Sequence, residues 1–272
     1  MSDQENAELV QLRLGDLDVT VSEAGEGRPV VLVHGLAQDH RMWAAQQCDL
    51  SGYRTLAYDV RGHGATSLGE PNGSLAQLGG DLIALLERFG PASVAGFSLG
   101  GTVALWAASE RPDLVTDVLA LATSSVVGRA AAAFFNDRIE LFGGADEDAV
   151  RSALLEDTRG QLAGADVDAE AVLAERLRAI GDRRGYINAA RAMAAINAEP
   201  LNDRLELIRC PVLVVRGAND QFCPRRAAEI MLEHLPSGRF VELPNVGHLV
   251  TDEDPAAVTE VIAGWLAEGD QR

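Results

Sequence analysis

Lysine is absent from this chain: its 23 basic side chains are all arginine, set against 41 acidic ones, and the formal net charge is −18. A surface this acidic repels nucleic-acid phosphates and anionic lipid headgroups, so neither nucleic acid nor membrane is an expected partner. The arginine- and alanine-rich make-up reads as compositional bias with a solvated acidic surface; adaptation to high salt is the second reading. No run of 18 or more apolar residues occurs, which argues against a membrane-spanning helix. Cysteine is scarce and odd in number. Cys48, Cys210 and Cys223 form neither a Cys-x-x-Cys pair nor a disulfide framework, which fits a reducing compartment. The opening residues, Met1 to Asn6, carry neither the basic nor the apolar stretch of a secretory leader, so a cytoplasmic location is expected. The five histidines include no His-Glu-x-x-His and no paired spacing with carboxylates, so no metal is expected. There is no internal repeat and no low-complexity linker.

With 272 residues, 47% of them apolar, the chain can bury a large core without being forced into two domains. Val10, Leu12 and Leu14 alternate with polar residues, Gly15-Asp16 turns the chain, and Leu17, Val19 and Val21 alternate again, which predicts a hairpin. Val30 to Val33 is an uninterrupted apolar run of the kind buried on both faces of a parallel sheet. Similar runs recur at 55–58, 93–96, 115–121, 212–215 and 239–243. Between them, Leu78, Leu82, Leu85, Leu86 and Phe89 repeat at helical spacing up to Gly90, and 102–110 reads as a second helix. Alternating strands and helices mean βαβ units and a mostly parallel sheet. From 126 to 200 the strands stop. Helix-period segments broken at Gly143-Gly144, Gly160, Gly164, Gly181 and Gly185 take their place. The expected organisation is a core in two parts, 1–125 and 201–272, around a helical lid at 126–200. A lid there would sit over the carboxyl ends of the strands, where open α/β sheets bind ligands.

The central motif is Gly96-Phe97-Ser98-Leu99-Gly100. By chance such a match arises in about one chain in ten, so its context must decide. It follows the strand ending at Ala95 and opens a helix, and a turn that sharp leaves no room for a Cβ two residues either side of a nucleophile. From these residues alone Ser98 is either a nucleophile or an N-cap serine on an ordinary strand-to-helix turn. A dinucleotide turn does not fit, because Ser98 stands where the second glycine of Gly-x-Gly-x-x-Gly would be; no cofactor is expected. A nucleophilic serine needs a base, and the base an acid. Asp220 follows the strand at 212–215 and His248 the strand at 239–243, so Ser98, Asp220 and His248 all leave the carboxyl ends of strands in one sheet. The chain order Ser, Asp, His is that of one of the known triad folds.

Five blocks together resemble the α/β-hydrolase superfamily: His34-Gly35 with Trp43; Asp-Val-Arg-Gly-His-Gly at 59–64; Gly96 to Gly101; Gly217 to Asp220; and Gly247-His248. They are most similar to small esterases, 3-oxoadipate enol-lactonases and cofactor-free haloperoxidases or perhydrolases. The resemblance implies the α/β-hydrolase fold, with a mostly parallel central sheet, an N-terminal antiparallel hairpin, helices on both faces and a helical lid. It also implies an oxyanion hole made by the main-chain N–H groups of Leu36 and Leu99. Serine at the elbow separates the chain from the dehalogenases and epoxide hydrolases of this fold, which use aspartate there. The loop His34 to His40 lacks the extra glycines of the fold's C–C bond hydrolases.

The expected chemistry is hydrolysis of a small-molecule ester or lactone through an acyl-enzyme on Ser98, with His248 as base and Asp220 orienting it. An enol-lactonase of aromatic catabolism, a perhydrolase-like activity and a ligand receptor on a hydrolase scaffold are the alternatives. Phe97, Trp43, Phe134, Phe135 and Phe222 are candidates for the substrate pocket. Arg129, Arg138, Arg183 and Arg184 either face solvent or recognise a substrate carboxylate. His34 is expected to brace the oxyanion loop, His63 to belong to a turn, and His40 and His234 to lie at the surface or in packing. Asp252, Glu253 and Asp254 are expected to cap the last helix, with Pro255 in its first turn.

Overall fold

The apolar runs of the sequence become eight strands and its helix-period segments eleven helices in a computed structural model that describes residues 7–144, 146–164 and 166–271. Met1 to Asn6, on which the expectation about a leader rests, lie outside the described residues. In chain order the elements are β1 (Glu8–Leu14), β2 (Leu17–Ala24), β3 (Pro29–Val33), α1 (Ala44–Asp49), β4 (Arg54–Tyr58), α2 (Leu75–Phe89), β5 (Ala92–Phe97), α3 (Leu99–Glu110) and β6 (Val115–Leu121). Four helices follow: α4 (Arg129–Gly144), α5 (Glu147–Gln161), α6 (Ala169–Ile180) and α7 (Arg184–Ala195). The chain then continues through α8 (Asn202–Leu205), β7 (Val212–Gly217), α9 (Arg225–His234), β8 (Gly238–Leu243), α10 (Val250–Glu253) and α11 (Pro255–Gly269).

The strands form one sheet in the order β1-β2-β4-β3-β5-β6-β7-β8. β2 pairs antiparallel with both β1 and β4, and every pairing from β4 through β3 to β8 is parallel. This is the α/β-hydrolase fold. The chain steps from β3 out to β4 and then back past β3 to β5, so the direction of winding reverses between β3 and β5. That reversal opens a crevice at the carboxyl ends of the two strands, the usual ligand position in open α/β sheets.

Alternation along the buried strands divides the core. Val31 and Val33 pack with Leu82 of α2 and Val103 of α3, while Val30 and Leu32 pack with Trp43 and with Ile262 and Trp265 of α11. Each such side chain contributes about 1.5–3 kcal/mol when removed from water. A third cluster, built around Phe142, Leu154, Leu173 and Tyr186, holds α4–α7 together. β8 departs from the expected buried run: as the last strand of the sheet it leaves Arg239 and Glu242 exposed.

Two of the expected helix breaks are absent. Gly160 lies inside α5, and Gly185 lies in the first turn of α7. Gly185 serves close approach instead: a Cβ there would collide with the carbonyl of Gly62 in the loop after β4. Gly181 does end α6, with φ 47°. α3 starts at Leu99, three residues before the apolar pattern suggests, because Ser98 occupies its N-cap position.

Candidate active site

β5 delivers Ser98 to the crevice at an extreme backbone angle, φ 50° and ψ −113°. Ser98 N–H donates to the carbonyl of Leu121 (2.8 Å), and its own carbonyl accepts from Thr102 N–H (3.2 Å) and Thr123 Oγ1 (2.8 Å). The turn is feasible only with glycine around it. A Cβ on Gly96 would strike the carbonyl of Gly100, one on Gly100 that of Val33, and one on Gly101 the side chain of Thr123.

His248 leaves the loop after β8 and points its Nε2 at Ser98 Oγ, 3.1 Å away. Its Nδ1 lies 2.9 Å from Asp220 Oδ2, so Nδ1–H donates to the carboxylate and Nε2 is left free to accept from the hydroxyl. Asp220 Oδ1 accepts the main-chain N–H groups of Phe222 and Cys223, both at 2.8 Å. Burial alone would push the Asp220 carboxyl up, but His248 and the two amides outweigh it and hold it below the usual carboxylate value. The Asp220 and His248 loops also touch directly: a Cβ on Gly217 would meet the carbonyls of Val246 and Gly247.

Several braces were not visible in the sequence. Arg216 on β7 pairs in register with Glu242 on β8 and donates Nη2 to the carbonyls of Ala218 (3.1 Å) and Asp220 (3.2 Å). Glu253 does not cap the last helix as expected. Its carboxylate accepts N–H from Gly247 (2.6 Å), Ala163 (2.7 Å) and Gly164 (2.8 Å), tying the His248 loop to the end of α5. The cap is Asp254, which accepts Ala257 N–H at 2.9 Å, with Pro255 in the first turn.

His34 is buried. Nδ1–H donates to Gly35 O and Nε2 accepts Val60 N–H, both at 2.8 Å, and burial pushes its pKa down, so a neutral ring ties the Leu36 loop to the segment after β4. His63 is buried beside it, with burial pushing it down to about 4. His40 is also buried, and its Nδ1–H donates to Asp59 at 2.8 Å. Two donor clusters fall within 4.8 Å, Asp220–Cys223–His248 and Asp39–His40–Asp59, and in each the imidazole and a carboxylate already hydrogen-bond one another.

Ser98 and His248 open onto a cavity of about 580 Å³. Leu36, Leu99, Phe97, Phe134, Phe135 and Phe222 line it. Phe97 and Phe222 flank the His248 ring at 5.2 and 5.5 Å, and Phe222, 40% exposed, stands at the mouth. Trp43 is a correction. It is fully buried and does not line the cavity, because it packs into the core on the α11 side of the sheet with Val30, Leu32 and Trp265. None of Arg129, Arg138, Arg183 and Arg184 lines the cavity. Arg138 is held bidentate by Asp157 (2.6 and 2.8 Å) and lies over the Phe134 ring, while Arg184 is exposed and paired with Asp182. Among the described residues the lining arginines are Arg226, paired with Glu233, and Arg176, which the sequence did not single out.

The model of the alpha/beta hydrolase family matches residues 30–261. A Mycobacterium tuberculosis protein provisionally named a non-heme bromoperoxidase is 28% identical over 270 residues, covering 92% of this chain and 98% of its own. The 3-oxoadipate enol-lactonase 1 of Acinetobacter baylyi is 27% identical over 261 residues, covering 92% of each. The crystal structure of the enol-lactonase from Burkholderia xenovorans LB400 superposes with a TM-score of 0.84 at 24% identity, over 95% of this chain and all of that one, a likeness of fold. With its sheet order, its serine turn and this match over most of its length, the chain belongs to the alpha/beta hydrolase family.

Proposed function

We propose that this protein is a serine hydrolase that cleaves a carboxylic ester or lactone of a small molecule through an acyl-enzyme on Ser98. The observation that carries the reading is the unbroken line Ser98 Oγ–His248–Asp220, with contacts of 3.1 and 2.9 Å, opening onto a largely apolar cavity. Ser98 attacks the carbonyl carbon while His248 Nε2 takes the hydroxyl proton, and Asp220, kept ionised, stabilises the imidazolium and its tautomer. The main-chain N–H groups of Leu36 and Leu99 receive the oxyanion. Loss of one such donor typically lowers rate by about 10²–10³. His248 then protonates the departing alcohol, and water, activated by the same imidazole, releases the acid. In this reading residues 126–200, which supply Phe134, Phe135 and Tyr186 to the cavity, form the cap that selects substrate. The relative named 3-oxoadipate enol-lactonase favours a lactone as the second, narrower reading. The bromoperoxidase-named relative is compatible with peroxide replacing water at the same acyl-enzyme.

Intact-protein mass spectrometry after fluorophosphonate treatment, beside turnover of 4-nitrophenyl acetate, butyrate and octanoate, tests the proposal. One adduct on Ser98, with Ser98→Ala unlabelled and its kcat lowered by up to about 10⁶, is the expected result. A Ser98→Ala rate within tenfold of wild type overturns it. Labelling with a single turnover would replace the enzyme with a ligand-receiving scaffold.

A further inference from the structure

Arg176, on α6, lines the same cavity as Ser98 and His248, yet it is only 5% exposed. Its Nη1 donates to Thr158 Oγ1 (2.9 Å) and Gln161 Oε1 (2.8 Å), both neutral oxygens on α5. The Thr158 hydroxyl has spent its own proton on the carbonyl of Leu154 (2.7 Å), so it meets the guanidinium purely as an acceptor. Nε is buried and has no hydrogen-bond partner among the described residues. No carboxylate lies within ion-pair distance of Arg176 among those residues: Asp157, paired with Arg138, and Asp252 both act on Arg176 only at longer range. A buried guanidinium with no carboxylate in direct contact is unfavourable unless an anion completes it.

We propose that Arg176 is an anion subsite of the catalytic cavity and selects esters or lactones that carry a free carboxylate. The inference rests on the serine-hydrolase reading and names the substrate class it would serve. Guanidinium and carboxylate match in planar, two-point geometry, and Arg176 still has unspent donors to offer. Arg176 also borders a recess of only about 20 Å³, where Asp39, Glu175 and Asp252 disfavour an anion. An organic anion therefore reaches it only from the cavity. The remaining cationic lining residue, Arg226, is exposed and already paired with Glu233. The net charge of −18 works against anionic substrates as a whole, so a preference for them has to come from a local group.

The test compares mono-4-nitrophenyl glutarate with 4-nitrophenyl valerate, esters of equal chain length that differ in a terminal carboxylate or methyl. Wild type is expected to favour the glutarate in kcat/KM. Arg176→Gln should lower that ratio by about 10–100-fold, mostly through KM for the glutarate, with the valerate little changed. A ratio within twofold of wild type, or equal losses on both esters, overturns the subsite. Should Arg176→Gln fail to fold, the wild-type protein decides alone. It must hydrolyse the mono-4-nitrophenyl ester at least about tenfold better than 4-nitrophenyl methyl glutarate, whose charge is masked; equal rates overturn the proposal. Turnover of the valerate without preference for glutarate sinks only the subsite, whereas no turnover of any ester and no labelling of Ser98 sinks the hydrolase reading and the subsite with it.

Discussion

Ser98 is held in a conformation that an L residue avoids. At φ 50° and ψ −113° its Cβ crowds its own backbone, a strain of about 1–3 kcal/mol, and the turn persists because Leu121, Thr102 and Thr123 hold both its N–H and its carbonyl. In the proposed reaction such strain is well placed, since it lifts the attacking Oγ clear of the sheet toward the cavity. Glycine would adopt these angles without strain, at the lesser cost of a more flexible unfolded chain. Ser98→Gly is therefore expected to melt a few degrees above Ser98→Ala, a difference of about 1 kcal/mol. Both variants lack the hydroxyl, so a thermal melt isolates the backbone term. Equal midpoints would mean that the turn carries no Cβ strain.

The short helix α10 links the His248 loop to α5 and α6. Glu253 clamps the His248 loop to the end of α5, while Asp252 faces Arg176 across the small recess. Burial pushes the Asp252 carboxyl up to about 6, outweighing the pull of Arg176. The folded protein thus binds this proton more tightly than the unfolded chain, where a carboxyl titrates near 3.9. The linked stability is fully present below the unfolded value and is lost as pH rises through about 6. Asp252→Asn removes the titration. It should be more stable than wild type by about 1–2 kcal/mol at pH 8 and lose that margin at pH 4, as followed by thermal melts. A margin that does not change with pH would show that the carboxylate is not desolvated.

Net charge acts on the molecule as a whole. With 41 acidic and 23 basic side chains, many arginines are already paired at the surface, including Arg111 with Glu87 and Asp113 and Arg226 with Glu233, and each such exposed pair contributes little. The unpaired excess of negative charge repels itself over distances that salt shortens from about 30 Å at 10 mM to about 3 Å at 1 M. Repulsion should dominate, and the melting midpoint should climb by several degrees between those two concentrations of sodium chloride. A falling midpoint would show that the surface pairs outweigh the excess.

The strands, the helices between them and the residues Ser98, Asp220 and His248 were legible in one dimension because each depends on near neighbours. Alternation marks a half-buried strand, a continuous apolar run a covered one, and glycines two positions either side of a serine mark a turn with no room for Cβ. Gly217 and Gly247 were likewise visible as glycines, but their purpose, letting two loops touch, was not. Other features depend on which distant surfaces face one another, and local propensity carries no record of that. Trp43 turned into the core, Glu253 went to a loop instead of a helix end, and Arg216 found Glu242 only because β7 and β8 are neighbours in register. Among the arginines of α4–α7, the sequence reading named Arg138 and passed over Arg176. The packing of α4, α5 and α6 separated them, giving Asp157 to the first and leaving the second buried without a counter-ion at the wall of the cavity.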